Sequence, residues 1–188
     1  MKLAVICVMV ALIFVAGCVQ DKPVKEIVIP GQKEIYQFTN DLRASVLVKS
    51  NDEKGIRNIF LNNENINIVF DGSSEADNAY FTVVIIDFGA KVPLYLSYQG
   101  NNVKFAPFYF IGDEWHNSTD DIIKKPNFTG PVLILKGPNT WAEDTSVDIY
   151  NNTVILQGTS YKNLTMAGDK LTLIVLDINK ELIEAYGR

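Results

Sequence analysis

Few side chains in this sequence can do chemistry. Its 188 residues hold one histidine, His116, and two cysteines, Cys7 and Cys18. A histidine relay or metal site needs partners, and the neighbourhood of His116 supplies only carboxylates: Asp113, Glu114, Asp120 and Asp121. Such a density of hard oxygen ligands would suit Ca2+. The EF-hand pattern is absent, however, and a solvated acidic loop is the simpler expectation. His116, between Trp115 and Asn117, is expected to be a solvated loop residue. A serine nucleophile would call for a Gly-x-Ser-x-Gly elbow, which does not occur. No catalytic residue, metal or cofactor is expected.

The remaining polar candidates follow apolar runs. Ile68-Val69-Phe70-Asp71-Gly72-Ser73-Ser74 is echoed by Val154-Ile155-Leu156-Gln157-Gly158-Thr159-Ser160. Each is a buried strand, a glycine for a sharp turn and a hydroxyl placed to cap a helix. Pro131 to Lys136 is a third apolar strand, followed by Gly137-Pro138-Asn139-Thr140. If strands ending at Asp71, Lys136 and Gln157 are parallel neighbours, their loops gather at one sheet edge. Asp71, Ser73, Ser74, Asn139, Thr140, Thr159 and Ser160 then form a candidate ligand site, since open α/β sheets bind ligands at that edge, with backbone N–H groups facing any anion. The structural alternative is that these residues are caps and turns, because no Walker or Rossmann spacing is present.

The elements that must position them read as follows. Glu26 to Ile29 and Lys33 to Phe38 alternate around Pro30-Gly31 and predict a hairpin or two edge strands. Ser50-Asn51-Asp52-Glu53 opens a short helix toward Phe60. After Ser74, Ala79 to Val92 is apolar on nearly all sides and suits a helix buried between layers, although Val83 to Ile86 would also suit a strand. Pro93 to Tyr98 and Val103 to Ile111 predict strands around Gly100-Asn101-Asn102. Asp148 to Tyr150 and Thr153 to Leu156 predict a hairpin turning at Asn151-Asn152. After Ser160 an apolar stripe, Leu164, Ala167, Gly168, Leu171 and Val175, puts Thr165, Asp169 and Thr172 on the other face of a helix. Strand, helix, strand in this order predicts an α/β fold, a mostly parallel sheet with helices packed on it and antiparallel edge hairpins. The aromatics Tyr95, Tyr98, Phe105, Phe108, Tyr109, Phe110 and Trp115 are either a platform for sugar rings or a protein partner, or alternating residues of which half face the core.

At the N-terminus, Lys2 precedes fourteen apolar residues, Leu3 to Ala16. A spanning helix needs about 20, whereas the apolar core of a secretory signal needs roughly 7 to 15. Residues 1–17 are accordingly expected to be a signal peptide, 18–26 a tether and 27–188 a single α/β domain; the alternative is an uncleaved anchor reaching Val19. Removing residues 1–17 takes Lys2 alone among the charges and leaves a net charge of −6. That modest acidic excess argues against nucleic acid and anionic lipid as partners. Sequons at Asn117, Asn127, Asn151 and Asn163 are possible glycosylation sites if they face solvent.

Val15-Ala16-Gly17-Cys18 resembles the lipobox of secreted prokaryotic lipoproteins. The resemblance implies cleavage before Cys18, a diacylglyceryl thioether on its sulfur, and attachment to the outer face of the cell membrane. With Cys7 in the signal and Cys18 lipidated, the domain would have no thiol for a disulfide, and its stability must come from its core. Residues 66–178 resemble the cell-wall-binding repeat of type 2 found in surface-layer and envelope proteins. The likeness rests on the strand before Gly72-Ser73-Ser74, the helix to Lys91, Pro93-Leu94-Tyr95-Leu96, Val132 to Thr140, and Gly158-Thr159-Ser160-Tyr161. Together these imply a lipid-anchored, non-enzymatic envelope protein that interacts with surface-layer protein, surface polymer or a membrane-associated partner. The alternative is a small solute-binding lipoprotein using the loops at the carboxyl edge of the sheet.

Overall fold

Alternation of apolar residues builds the centre of the molecule. Ile66, Ile68 and Phe70 recur at every second position of one strand, Leu133 and Leu135 of another, and Val154 and Leu156 of a third. In the computed structural model, which describes residues 22–119 and 121–188, these three strands are adjacent and parallel. In chain order the elements are β1 (Glu26–Val28), β2 (Ile35–Gln37), α1 (Leu42–Ser45), α2 (Glu53–Asn62), β3 (Asn65–Asp71), α3 (Glu75–Tyr98), β4 (Lys104–Ile111), β5 (Glu114–Asn117), β6 (Ile122–Ile123), β7 (Val132–Lys136), β8 (Ser146–Tyr150), β9 (Thr153–Gln157), α4 (Tyr161–Val175) and α5 (Lys180–Tyr186).

The main sheet runs β6-β5-β4-β3-β7-β9-β8. Its four central strands are parallel, while β5 and β6 at one edge and β8 at the other are antiparallel. This is a mixed α/β fold whose sheet has a parallel centre and antiparallel edges. The hairpin β8–β9 turns at Asn151, whose φ of 55° lies in the left-handed region that asparagine tolerates. A β8 edge left bare would invite another strand. Here Asn51 covers it, its Oδ1 accepting from Ile149 N (2.9 Å) and its Nδ2 donating to Ile149 O (2.9 Å).

Register assigns each side chain a face. Phe70 touches the Phe81 ring of α3, and Phe105 packs with Phe60 of α2 and Phe88 of α3, so this parity of the strands is the helix side. The opposite parity carries Val69, Phe108, Phe110, Trp115, Ile134 and Ile155, and no helix covers it among the described residues. Phe128 reaches this face from the loop before β7, meeting Phe108 and Trp115 at ring-centroid distances of 5.4 and 6.0 Å. Of the seven aromatics noted in the sequence, Phe105 and Tyr109 thus turn to the helices, whereas Phe108, Phe110 and Trp115 turn to the uncovered face.

Outside α3 and α4 lies a third layer made of the antiparallel pair β1–β2 with α1 and α5. This layer explains a departure from the sequence reading of α4. Thr165, Asp169 and Thr172, expected on a polar outer face, are 9%, 2% and 0% exposed. The β2–α1 loop reaches Thr165 and Asp169 through Asn40, and Thr172 Oγ1 donates to Gly168 O of its own helix (3.1 Å). Asn40 donates from its backbone N (3.0 Å) and from Nδ2 (2.7 Å) to Asp169 Oδ2. Beside them Lys91 pairs with Asp87 and stands over the Phe38 ring. Burial pushes the Asp169 carboxyl above its ordinary value; the hydrogen bonds from Asn40 pull the other way.

Further expectations change. Pro93 to Tyr98 is the last part of α3 rather than a strand: the helix tolerates Pro93 at the loss of one hydrogen bond to the Gly89 carbonyl. That helix is not buried all round either, since Val83 and Ile86 are 45% and 65% exposed. Trp115-His116-Asn117 is strand β5, not a solvated loop, and His116 is half-buried, stacked on Tyr109 at 4.8 Å. The fold also begins inside the expected tether. Val24 is 6% exposed in the core, and Lys25 and Glu26 both donate to the Arg188 carbonyl. Residues 1–17, with the expected signal, and Cys18 lie outside the described residues.

Candidate functional site

The parallel order β3-β7-β9 brings the loops after Asp71, Lys136 and Gln157 to one edge, as the sequence implied. Asp71 ends β3 with its Oδ1 accepting from Ser73 N (2.8 Å). Ser74 caps α3, its Oγ accepting from Asp77 N (3.2 Å), and Ser160 caps α4, accepting from Asn163 N (3.2 Å). The organising residue was not foreseen. Asp77, fully buried on the first turn of α3, accepts from Asn139 N (3.0 Å), Asn139 Nδ2 (2.9 Å) and Thr140 Oγ1 (2.9 Å). It ties the loop after β7 to the helix after β3, across the crevice where a ligand of such a sheet would sit. Gly137 is required by this clamp, because a Cβ there would collide with the Asp77 carboxylate. The signal for Asp77 was its place three residues after the Ser74 cap, but nothing in the sequence said that the loop after β7 would close on it.

The second half of the edge is held separately. Thr159 Oγ1 lies 3.2 Å from Thr145 Oγ1 and accepts from Asn163 Nδ2 (3.3 Å). Gly158 approaches α4 so closely that a Cβ would collide with the backbone of Leu164. Tyr80 of α3 and Tyr161 of α4 stack face to face at 4.2 Å, and the Tyr161 hydroxyl accepts from Asn139 Nδ2 (2.8 Å). The seven candidate residues therefore form two adjoining groups, held by bonds to the buried Asp77 and to the first turns of α3 and α4.

Two features stand beside this floor. Trp141, directly after Thr140, is 71% exposed and has a φ of 62°. A bulky residue in the left-handed region costs about 1–2 kcal/mol, and an indole in water makes no packing return on it. The second feature is an open groove between α3 and β4–β5, lined by Phe70, Thr82, Ile85, Ile86, Pro107 and Tyr109, with a volume of about 440 Å³. A smaller hollow of about 330 Å³ adjoins it through Phe70, Thr82 and Tyr109 and reaches Gly72 and Asn78 at the edge of the sheet.

Among the described residues no group of three His, Cys, Asp or Glu side chains converges; Asp120, one of the four acidic residues near His116 in the sequence, lies outside them. Of the four sequons, Asn127 and Asn151 are exposed, Asn151 at the tip of its hairpin. Asn117 and Asn163 are half-buried; Asn117 Oδ1 accepts from Thr119 N (2.9 Å) and Thr119 Oγ1 (2.6 Å) within its own sequon. No protein-family model, curated protein or solved structure matches this chain.

Proposed function

We propose that this chain is a lipid-anchored envelope protein, held to the outer face of the cell membrane through Cys18, that acts by interaction with surface-layer protein, surface polymer or a membrane-associated partner. The observation that carries the interaction is Trp141. The carboxyl edge has a hydrogen-bonded floor and a single exposed indole in a strained backbone, the arrangement of an anchor kept for a partner. A closed cavity at these loops would instead favour solute capture.

The test separates stability from binding. Glycine relieves a left-handed position, so Trp141→Gly is expected to raise the stability of the isolated protein by about 1 kcal/mol. Crosslinking in intact cells is expected to capture a discrete partner with the unchanged chain and to lose it with the variant. Capture unaffected by the substitution would remove Trp141 from the account.

Small-solute binding remains the second reading, favoured by the groove beside α3. It would use Thr82, Pro107 and Tyr109 rather than the loops after β7 and β9. Equilibrium dialysis against the small molecules of the native medium distinguishes it: retention of one of them, abolished by Thr82→Trp, would support a solute-binding protein.

A further inference from the structure

Helix α3 is more apolar than its packing requires. The most apolar 18-residue stretch of this helix has a mean hydropathy of 1.4, and 39% of that stretch is buried. The excess lies on one line. Ala79, Val83, Ile86, Ala90 and Leu94 are all exposed, and their spacing of four, three, four and four places them in a single stripe of a 3.6-residue helix. At 1.5 Å per residue the stripe is about 22 Å long. The one acidic residue between Ala79 and Ala90 is Asp87, and its carboxylate pairs with Lys91 toward the covered side.

The chain enters the fold beside this stripe. Val24 is fixed along the β2–α1 loop: its N donates to Asp41 Oδ1 (3.2 Å), its carbonyl accepts from Leu42 N (2.8 Å), and the next carbonyl, of Lys25, accepts from Phe38 N (2.7 Å). Thr39 of that loop shares a small hollow with Val83 and Val84. Six residue steps separate Val24 from Cys18, a reach of at most about 21 Å. A domain of this size is roughly 40 Å across. A lipid on Cys18 therefore brings the layer containing the Phe38 to Leu42 loop to the membrane, and the uncovered sheet face cannot reach it.

Resting on the reading that Cys18 is lipidated, we propose that the free face of α3 lies on the lipid surface and turns the uncovered sheet face outward. Lipid fits this stripe better than a second copy of the chain does. A strip about 22 Å by 10 Å covers roughly 220 Å², far below the 800 Å² per partner of a stable protein interface. It suffices for orientation, because the acyl or alkyl chains on Cys18 already supply the affinity.

The test uses the full chain, produced as the lipidated protein and reconstituted in phosphatidylcholine vesicles. On this reading the mature protein has no free thiol, so an introduced cysteine carries an environment-sensitive fluorophore at one position. Ile86→Cys and Ala90→Cys report on α3, and Tyr150→Cys, on the uncovered face, is the reference. Emission from positions 86 and 90 is expected at shorter wavelength than from position 150, and nitroxide-labelled lipid is expected to quench it selectively. Equal emission and equal quenching at all three positions overturn the proposal. The intact mass of the same sample distinguishes the failures: a lipidated chain with positions 86 and 90 in water refutes the membrane contact alone, and a chain without lipid on Cys18 refutes the anchoring and the contact together.

Discussion

Asp77 and Asp169 are both buried acidic residues facing loops, and their roles differ. Asp77 takes three hydrogen bonds from Asn139 and Thr140, so Asp77→Ala leaves buried donors without an acceptor and is expected to cost about 3 kcal/mol. Denaturant unfolding measures it; a loss below 1 kcal/mol would mean that water replaces the clamp. Asp169 is raised by burial, so the folded state holds its proton more tightly than the unfolded chain does. Between the two pKa values the unfolded state binds fewer protons, and its contribution to stability falls as pH rises through the carboxylate range. Asp169→Asn keeps an oxygen for the Asn40 donors and removes the charge. It is expected to melt above the unchanged protein at about pH 7 and to match it near pH 3. A lower melting temperature at neutral pH would show that attraction to Lys91 outweighs desolvation.

Elements whose signals were local could be read directly. Both strand–glycine–hydroxyl segments end in serine N-caps, and Asn151-Asn152 turns its hairpin as its φ requirements dictate. Elements set by tertiary contact could not. Pro93 suggested a break, but one lost hydrogen bond is outweighed by Tyr95 and Leu96, which belong to the core. Thr165 and Asp169 looked like a solvent face because the groups that meet them, on Asn40 and Ser45, lie more than a hundred residues away. Trp115-His116-Asn117 lacked apolar alternation because β5, between β4 and the edge strand β6, has one face that no helix covers. Trp141 gave no signal in the sequence, since a left-handed tryptophan arises from the closure of its loop on Asp77. The β8 edge belongs to the same category: Asn51, from the loop before α2, occupies the positions of a neighbouring strand. Asn51→Ala is expected to lose about 1 kcal/mol and to self-associate with rising concentration. Sedimentation that stays monomeric at every concentration would show that the edge is protected in some other way.

At the scale of the molecule, three layers give the two sides of the sheet different surroundings. The helix side is overlaid by β1–β2, α1 and α5, which leave the outer faces of α2 and α3 exposed, and the chain enters beside α3; the other side carries Phe108, Phe110 and Trp115 without a helix over them among the described residues. On the proposed lipidation of Cys18, a tether short enough to choose one side would make that asymmetry functional, with lipid below and a partner at the edge or the outer face. Everything in this arrangement depends on the modification of one cysteine. The most direct measurement is the intact mass of the protein purified from the membrane fraction of its own cells. The expected result is a chain beginning at Cys18 that carries a diacylglyceryl or equivalent lipid thioether; a chain that retains residues 1–17, or begins at Cys18 with a free thiol, would contradict it.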